Sequence, residues 1–369
     1  MERLKKVVVV NDVGYFGWDV TNSGDKKKKE HPETSIEWLN MLERLDIDGK
    51  PAFLTDIVKL NEELENKNEV KLSDKLLSRR KNQTIVFWEY PYSIPPVIAC
   101  YVANERGVSL EDTHFLIHGG ILGVLARCKT IAKQESIMVQ KLGGNVINVR
   151  IIVDKNGFLG DAGHQFERLV VGDKVYSKHS LVQHQHLREL KVGGFNILVY
   201  AEADAIDPTT SKPVEIKTKN VLKEKAYDRD KLKFLLQMIS NGSETLITAD
   251  REKHEDQSFT IRSVEKYPIG ALIDSLTEGV DYVNTKIESI ESRLRWLQDE
   301  MKARDESCFQ LTLTSEEMNL QPFTTESRAK ATQHHYQVLN SQLYAQHVSG
   351  QMNPVETVPE QGTAEQVQS

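Results

Sequence analysis

Carboxylates and a lysine lie close together in the stretch AEADAIDPTTSKPVEIKTK, residues 201–219. One apolar residue separates Glu202 from Asp204, and another separates Glu215 from Lys217. Residues two apart in a strand point to the same side, so each pair would share a face. The intervening DPTTSKP is typical of a turn. If the two flanking strands pair as a hairpin, three carboxylates and one ammonium converge on one spot.

Oxygen ligands of this kind suit Mg²⁺ or Mn²⁺, which bind through one or a few carboxylates together with substrate phosphate. Lys217 would then face the same phosphate as a point charge. An acid followed, after a turn, by Glu-x-Lys is a nuclease-like arrangement. The alternative is a solvated strand face, on which Glu and Lys form an ordinary surface pair. The spacing alone leaves both interpretations open.

Composition sets the class of protein. The chain has 369 residues, of which 39% are hydrophobic and 27% charged, as in soluble globular proteins. We find no apolar run long enough to cross a bilayer, and the apolar core of MERLKKVVVVNDV is too short for a signal peptide. The three cysteines are widely spaced, which favours reduced thiols over a disulfide framework. We therefore expect an intracellular protein, nuclear or cytoplasmic, without a membrane partner.

Charge bears on the choice of partner. The net charge of −7 argues against a uniformly basic surface that wraps duplex DNA. Residues 217–233 are locally basic, either as a solvated helix face or as a ramp for a phosphate backbone. The histidines His179, His184 and His186 lack cysteines or a carboxylate at ligand spacing, so we expect a partly exposed cluster rather than a zinc site.

The length admits one large domain or two. We predict a single catalytic domain over residues 1–347, with the metal-site core at about 161–250, and a disordered tail at 348–369 that is rich in Gln, Glu, Pro, Gly and Thr. Near the end, apolar residues recur at steps of four and three and predict an amphipathic helix that packs on its own core or, alternatively, on a partner. These residues are Val283, Ile287, Ile290, Leu294, Leu297 and Met301.

Four segments together resemble the decapping exonuclease (DXO) family of RNA 5′-end processing enzymes. GHQFE (163–167) is similar to its Gly-x-aromatic/apolar-x-Glu motif, and EAD (202–204) to its Glu-apolar-Asp motif. EIK (215–217) is similar to its Glu-apolar-Lys motif, and LKFLLQ, which ends at Gln237, to its lysine-rich helix. Their order and spacing agree with the family over roughly residues 161–250.

The resemblance implies an α/β (α+β) fold: a mixed β-sheet core flanked by helices, related to the Asp…Glu-x-Lys nucleases. It also implies a hydrolase, a decapping nuclease that removes incomplete guanosine caps, nicotinamide-adenine-dinucleotide (NAD) caps or 5′ triphosphates from RNA. In some members 5′-to-3′ degradation follows. Implied partners are RNA 5′ ends and a 5′-to-3′ exoribonuclease, with no DNA expected. The alternative is a catalytically weak or inactive RNA-binding or regulatory protein of the same fold.

The resemblance assigns metal ligands residue by residue. The side chains of Glu167, Asp204 and Glu215 and the backbone carbonyl of Ile216 would bind Mg²⁺ or Mn²⁺. Glu202 would belong to the same site and act through a metal-bound water, as one of the two catalytic residues.

Lys217 would be the other catalytic residue, and both Lys217 and Gln237 would contact the substrate. One position departs from the family pattern: Gly119 stands where the resemblance places an arginine. His118 would replace that charge in part, because histidine is partly charged near neutral pH. We therefore expect weak, metal-dependent activity that Gly119→Arg increases, unless Gly119 needs a positive φ.

Overall fold

The computed structural model describes residues 4, 6–19, 45–66, 70–72, 94–129, 135–142, 145–153, 162–172, 182–256, 258–306, 308–314 and 317–322. The predicted tail at 348–369 and His179 lie outside these ranges. Among the helices within them, none combines the length and hydropathy that crossing a bilayer requires. The three cysteines are buried and carry free thiols.

Strands and helices both contribute buried side chains to the core of the described residues. In chain order the strands are β1 (Val7–Asp19), β2 (Leu45–Asp46), β3 (Val70–Leu72), β4 (Phe115–His118), β5 (Glu135–Lys141), β6 (Ile147–Val153), β7 (Val182–Val192), β8 (Phe195–Glu202), β9 (Ala205–Ile206), β10 (Pro213–Lys217), β11 (Thr245–Lys253), β12 (Phe259–Pro268), β13 (Cys308–Leu313) and β14 (Met318–Pro322).

These strands form two mixed sheets. The larger has nine strands in the order β14-β13-β5-β6-β4-β8-β7-β1-β2, and the smaller has five in the order β3-β12-β11-β10-β9. Pairing is parallel between β4 and its neighbours β6 and β8 in the larger sheet, and between β10 and β11 in the smaller. The predicted mixed-sheet core is therefore confirmed.

Helices cover the faces of both sheets. They are α1 (Ile57–Asn66), α2 (Ile94–Glu105), α3 (Ile121–Leu125), α4 (Ala162–Val171), α5 (Asp228–Asn241), α6 (Ile269–Asp274) and α7 (Gly279–Lys302). Buried residues of α3, α5, α6 and α7 pack on one face of the larger sheet, and α2 packs on the other. Helix α4 packs on the smaller sheet.

The amphipathic stripe near the end forms α7, as its spacing predicts. All six apolar residues of the stripe are buried in the main core, each at most 1% exposed. This helix therefore packs on its own core, and the alternative of a partner-binding coil is wrong for these residues.

The predicted hairpin is wrong in its strand assignment. β8, which ends at Glu202, belongs to the larger sheet, whereas β10 belongs to the smaller one. The hairpin partner of β10 is the two-residue strand β9, with Ala205 opposite Val214 and Ile206 opposite Pro213. The chain thus crosses from one sheet to the other directly after Glu202. Alternating apolar residues continue through the crossing, so the sequence pattern does not reveal it.

Candidate active site

The site forms where the chain changes sheets. Glu202 closes β8, and Ala203 donates its N–H to the His184 carbonyl at 3.0 Å, which ties the end of the strand to β7. Asp204 lies in the link before β9. Its carboxylate accepts the Ile216 N–H at 2.8 Å, which holds it beside β10. The crossing therefore brings Glu202 and Asp204 to the edge occupied by the Glu-x-Lys strand.

Lys217 lies between the acids of this edge. Its ammonium is 3.5 Å from the Asp204 Oδ2 and forms an ion pair with the Glu215 Oε1. It also donates to the Ile216 carbonyl at 2.9 Å, the backbone oxygen predicted to bind metal. Although burial lowers it, Asp204 and Glu215 raise the pKa of Lys217, so the ammonium stays charged. The predicted convergence of acids and lysine is present in the structure.

Helix α4 adds the last carboxylate. Its apolar residues Ala162, Phe166 and Val170 recur every four positions and pack against the smaller sheet. This packing directs the neighbouring Glu167 toward Asp204. Burial, with the negative charge of Asp204 as the next cause, raises the pKa of Glu167 to about 8.

The pKa values of the other two glutamates are also raised, in part by the same negative charge of Asp204. Glu202 is exposed at the end of β8, and desolvation by the surrounding protein, then the charge of Asp204, raises its pKa to about 7. Burial also raises the pKa of Glu215 to about 7, with Lys217 opposing and Asp204 reinforcing the shift. Without a cation these groups are thus partly protonated near neutral pH. Their mutual repulsion is the physical reason that a divalent ion would be stabilised among them.

The donor set fits Mg²⁺ or Mn²⁺ in chemistry, because it consists of carboxylates and one backbone carbonyl. Within the described ranges, however, no three His, Cys, Asp or Glu side chains already surround one point with ligand geometry. The Ile216 carbonyl, the predicted backbone ligand, accepts a hydrogen bond from the Lys217 ammonium. The carboxylates share one electrostatic environment.

Gln237 lies on α5, which packs against β8 and β10. Its Oε1 is buried and accepts no hydrogen bond. A buried amide oxygen without a donor is unfavourable, typically by about 1–3 kcal/mol, and a substrate N–H or O–H would relieve this. The substrate contact of Gln237 remains a prediction.

Asn241, the last residue of α5, was not identified from the sequence. Its Nδ2 donates to the Glu215 Oε2 at 2.5 Å and to the Glu202 carbonyl at 3.2 Å. An asparagine before a glycine indicates only a helix end, here Gly242 with φ 80°. The sequence offers no signal that this asparagine binds a carboxylate from another sheet.

Gly119 has no room for the arginine that the family pattern places there. A Cβ at this position would lie 2.5 Å from the Ala201 Cβ and 3.3 Å from the Ser240 Cβ. Its φ is not positive, so the obstacle is packing rather than backbone strain. The expectation that Gly119→Arg increases activity is therefore wrong on steric grounds.

His118 does not replace the missing charge. Burial, reinforced by the positive charges of Lys129 and Arg150, lowers the pKa of His118 to about 4. The ring is neutral near pH 7, which corrects the expectation of a partly charged substitute. Its neighbour Arg150 is a buried cation on β6, 3% exposed.

Ion pairs within the chain neutralise part of the basic segment at 217–233. Lys219 lies 3.4 Å from the Asp230 carboxylate, and Lys223 forms an ion pair with Glu265. Charges that are already paired attract a phosphate backbone less strongly. These two contacts favour the solvated-face interpretation over the phosphate ramp.

Comparison with known proteins gives a likeness at the level of the fold. No family model and no curated protein sequence matches the chain. Among solved structures, Schizosaccharomyces pombe Rai1 (TM-score 0.57, 14% identity) covers 86% of this chain and 95% of its own. Candida albicans Rai1 in complex with pU5-Mn²⁺ (TM-score 0.57, 12% identity) covers 95% of this chain and 96% of its own. Kluyveromyces lactis Dxo1 in complex with manganese (TM-score 0.54, 14% identity) covers 87% of this chain and 91% of its own. The chain therefore has the Rai1/Dxo1 fold, as the motif resemblance to the DXO family implies.

Proposed function

We propose that this chain is a divalent-metal-dependent hydrolase that processes RNA 5′ ends. The proposed substrates are RNAs with incomplete guanosine caps, NAD caps or 5′ triphosphates, with 5′-to-3′ degradation as a further activity. The observation that carries the proposal is the convergence of Glu167, Glu202, Asp204, Glu215 and Lys217 from three parts of the chain. An ordinary surface pair would not gather four carboxylates around one lysine with Glu215 buried at 2% exposure, because burying charge without full compensation is costly.

The proposed ligands are Glu167, Asp204, Glu215 and the Ile216 carbonyl, with Glu202 beside them. A bound Mg²⁺ or Mn²⁺ would polarise the scissile phosphate and neutralise charge that develops on its oxygens. Lys217 holds a permanent positive charge at the same place, and its ion pairs keep it there before substrate arrives.

Two solved structures of the same fold support the proposal, the first for both RNA and metal and the second for metal alone. One solved structure contains pU5 and Mn²⁺, and another contains manganese. The choice among cap structures rests on the motif resemblance alone. An exoribonuclease partner and an intracellular location, nuclear or cytoplasmic, belong to the same proposal.

A second candidate is an RNA-binding or regulatory protein of the same fold with little turnover. Two observations favour it. Position 119 is closed to an arginine by Ala201, and the Lys217 ammonium occupies the carbonyl predicted to bind metal. An arginine contact to phosphate is typically worth about 1.5–3 kcal/mol.

End-labelled RNAs that differ only at the 5′ end separate these candidates. The purified chain is incubated with triphosphate, NAD-capped, cap-guanosine, monophosphate and hydroxyl RNAs, with Mg²⁺, Mn²⁺ or EDTA. We expect slow release of the 5′ group that EDTA abolishes and that the Glu215→Gln variant lacks. RNA binding with no turnover on any substrate would favour the regulatory protein.

A further inference from the structure

A chain of hydrogen bonds leads from the edge of the larger sheet to Glu215. Its central member, Asn241, donates to the Glu215 Oε2 at 2.5 Å and to the Glu202 carbonyl at 3.2 Å. Its Oδ1 accepts the Ser243 N–H at 3.0 Å. Both acceptors lie on the nitrogen side of the amide and the donor lies on the oxygen side. The orientation of this amide is therefore determined by its partners.

The Asn241–Glu215 contact is shielded from water. Both residues are 2% exposed, so water cannot readily replace the bond if it breaks. Asn241 binds the Oε2 of Glu215, whereas Lys217 binds the Oε1. The carboxylate is thus held at both oxygens, which fixes the plane of the group. A carboxylate with a fixed plane binds an ion without first losing rotational freedom.

His186 holds the other end of Asn241. Its Nδ1 lies 2.6 Å from the Asn241 carbonyl oxygen, and its Nε2 forms an ion pair with Asp12. The ring is 1% exposed, rather than partly exposed as the sequence predicts, and Tyr15 stacks on it at 4.2 Å. The ring therefore links the backbone at the end of α5 to Asp12 on β1.

An arginine from the same strand binds the same helix end. Arg188 donates from Nη1 to the Ile239 carbonyl at 2.6 Å. Cations are stabilising at the carboxyl end of a helix, where backbone carbonyls lack intrahelical donors. His186 and Arg188, both on β7, therefore fix the end of α5, and with it Asn241, to the larger sheet.

We propose that Asn241 is a positioning residue for Glu215, and that His186 and Asp12 hold Asn241 in register from the larger sheet. The inference rests on the proposed function, in which Glu215 binds the divalent ion. The network joins the two sheets across the crossing, because Glu215 lies in the smaller sheet and His186 in the larger. Its consequence is a Glu215 carboxylate that is oriented before the ion arrives.

The competing explanation is that Asn241 only caps the helix and the following loop. A cap contributes to folding stability without changing the affinity of a distant ligand. Asn61 provides a matched control, because it exchanges two hydrogen bonds with the Val264 backbone, at 2.9 and 2.7 Å, away from the carboxylates. Both explanations predict lower melting temperatures, and only the positioning role predicts weaker ion binding.

The test measures the Mn²⁺ dissociation constant of the wild-type chain and its variants by titration calorimetry, with a melting temperature for each. We expect Asn241→Ala to weaken Mn²⁺ binding about tenfold or more, as removal of a partner of a metal ligand typically does. Asn61→Ala should lower the melting temperature and leave the Mn²⁺ affinity unchanged.

Two substitutions of His186 test its part independently of Asn241, and decide the matter if Asn241→Ala does not fold. Phe keeps the stacking on Tyr15 but has no donor, whereas Asn places an amide donor near the position of Nδ1. We expect weaker Mn²⁺ binding in His186→Phe and partial recovery in His186→Asn. Wild-type affinity in both Asn241→Ala and His186→Phe would overturn the positioning role and leave the proposed function intact. A wild-type chain that binds no Mn²⁺ would overturn both.

Discussion

Lys217 is the residue whose charge the proposed chemistry needs most. Its ammonium is already ion-paired with Asp204 and Glu215, so its position is set before substrate binds. We expect Lys217→Met to lower turnover about a hundredfold, as loss of one stabilising donor typically does. RNA affinity should fall far less, because the charge matters most in the transition state.

Single-turnover rates and filter-binding affinities of the same preparation check this expectation. Lys219→Met is the matched control, because Lys219 pairs with Asp230 and is more exposed. A parallel loss of affinity and turnover in Lys217→Met would make this lysine a binding residue only.

The raised carboxylate pKa values give the metal-free protein a defined pH dependence. The pKa is about 8 for Glu167 and about 7 for Glu202 and Glu215, all above the ordinary value of 4.5. Between pH about 4.5 and 8 the folded state therefore binds more protons than the unfolded state. Linkage then requires the free energy of unfolding to fall as pH rises through this window.

Melting temperatures in EDTA between pH 5 and 8.5 measure this dependence. Asp204→Asn removes the charge that raises all three pKa values, so its melting temperature should fall less over the same range. Mn²⁺ should stabilise the wild-type chain more at pH 8 than at pH 5, because its ligands must be deprotonated. Equal slopes for the wild-type chain and Asp204→Asn would show that the acids do not share one electrostatic environment.

At the level of elements, the parallel pair β4 and β8 explains why position 119 is glycine. The Gly119 N–H donates to the Tyr200 carbonyl at 3.0 Å, directly before Ala201. We expect Gly119→Ala to destabilise the fold by about 1–3 kcal/mol, the usual cost of overpacking a core. Ala201→Gly in the same chain should recover much of that loss, because it removes the clashing Cβ.

Denaturant unfolding of the two single variants and the double variant measures this coupling. Gly194→Ala is the control, since a Cβ there meets no atom within 4 Å. Additive effects of Gly119→Ala and Ala201→Gly would mean that a contact other than Ala201 excludes side chains at position 119.

Sequence patterns predicted elements better than their connections. The apolar stripe of α7 identified a buried helix face from the sequence. The change of sheet after Glu202 left no such mark, because both flanking strands are apolar on their buried faces. Pairing depends on which distant strand lies alongside, and that is decided by packing of the whole core.

The residues of the candidate site were likewise only partly predictable from the sequence. The acids and Lys217 were singled out by their types and by the motif resemblance, since their spacing alone also fits a solvated strand face. Asn241 and His186 were not predictable, because an asparagine or histidine is equally common as a helix cap or a core polar group. Their role depends on a contact between the two sheets, which no local pattern encodes.

At the scale of the whole molecule, the net charge of −7 and the paired lysines predict limited phosphate binding. For single-stranded RNA, the logarithm of the binding constant falls with the logarithm of the salt concentration, at a slope of about −0.7 per phosphate contact. We expect a slope between about −1.4 and −2.1, equivalent to two or three contacts around the site. Affinities of a 5′-monophosphorylated RNA at several KCl concentrations measure this slope. A slope steeper than about −4 would support the interpretation of residues 217–233 as a ramp for a phosphate backbone.

The most direct test of the central claim is metal-dependent hydrolysis at the RNA 5′ end by the wild-type chain and Glu215→Gln, both with circular dichroism spectra of a folded protein. RNAs that carry a labelled 5′ triphosphate or NAD cap are incubated with Mn²⁺ and with EDTA, and the released 5′ product is quantified. We predict release by the wild-type chain with Mn²⁺ only, and loss of at least about a hundredfold in Glu215→Gln. Equal release by the two proteins, or release that persists in EDTA, would contradict the assignment of these carboxylates to a divalent metal site.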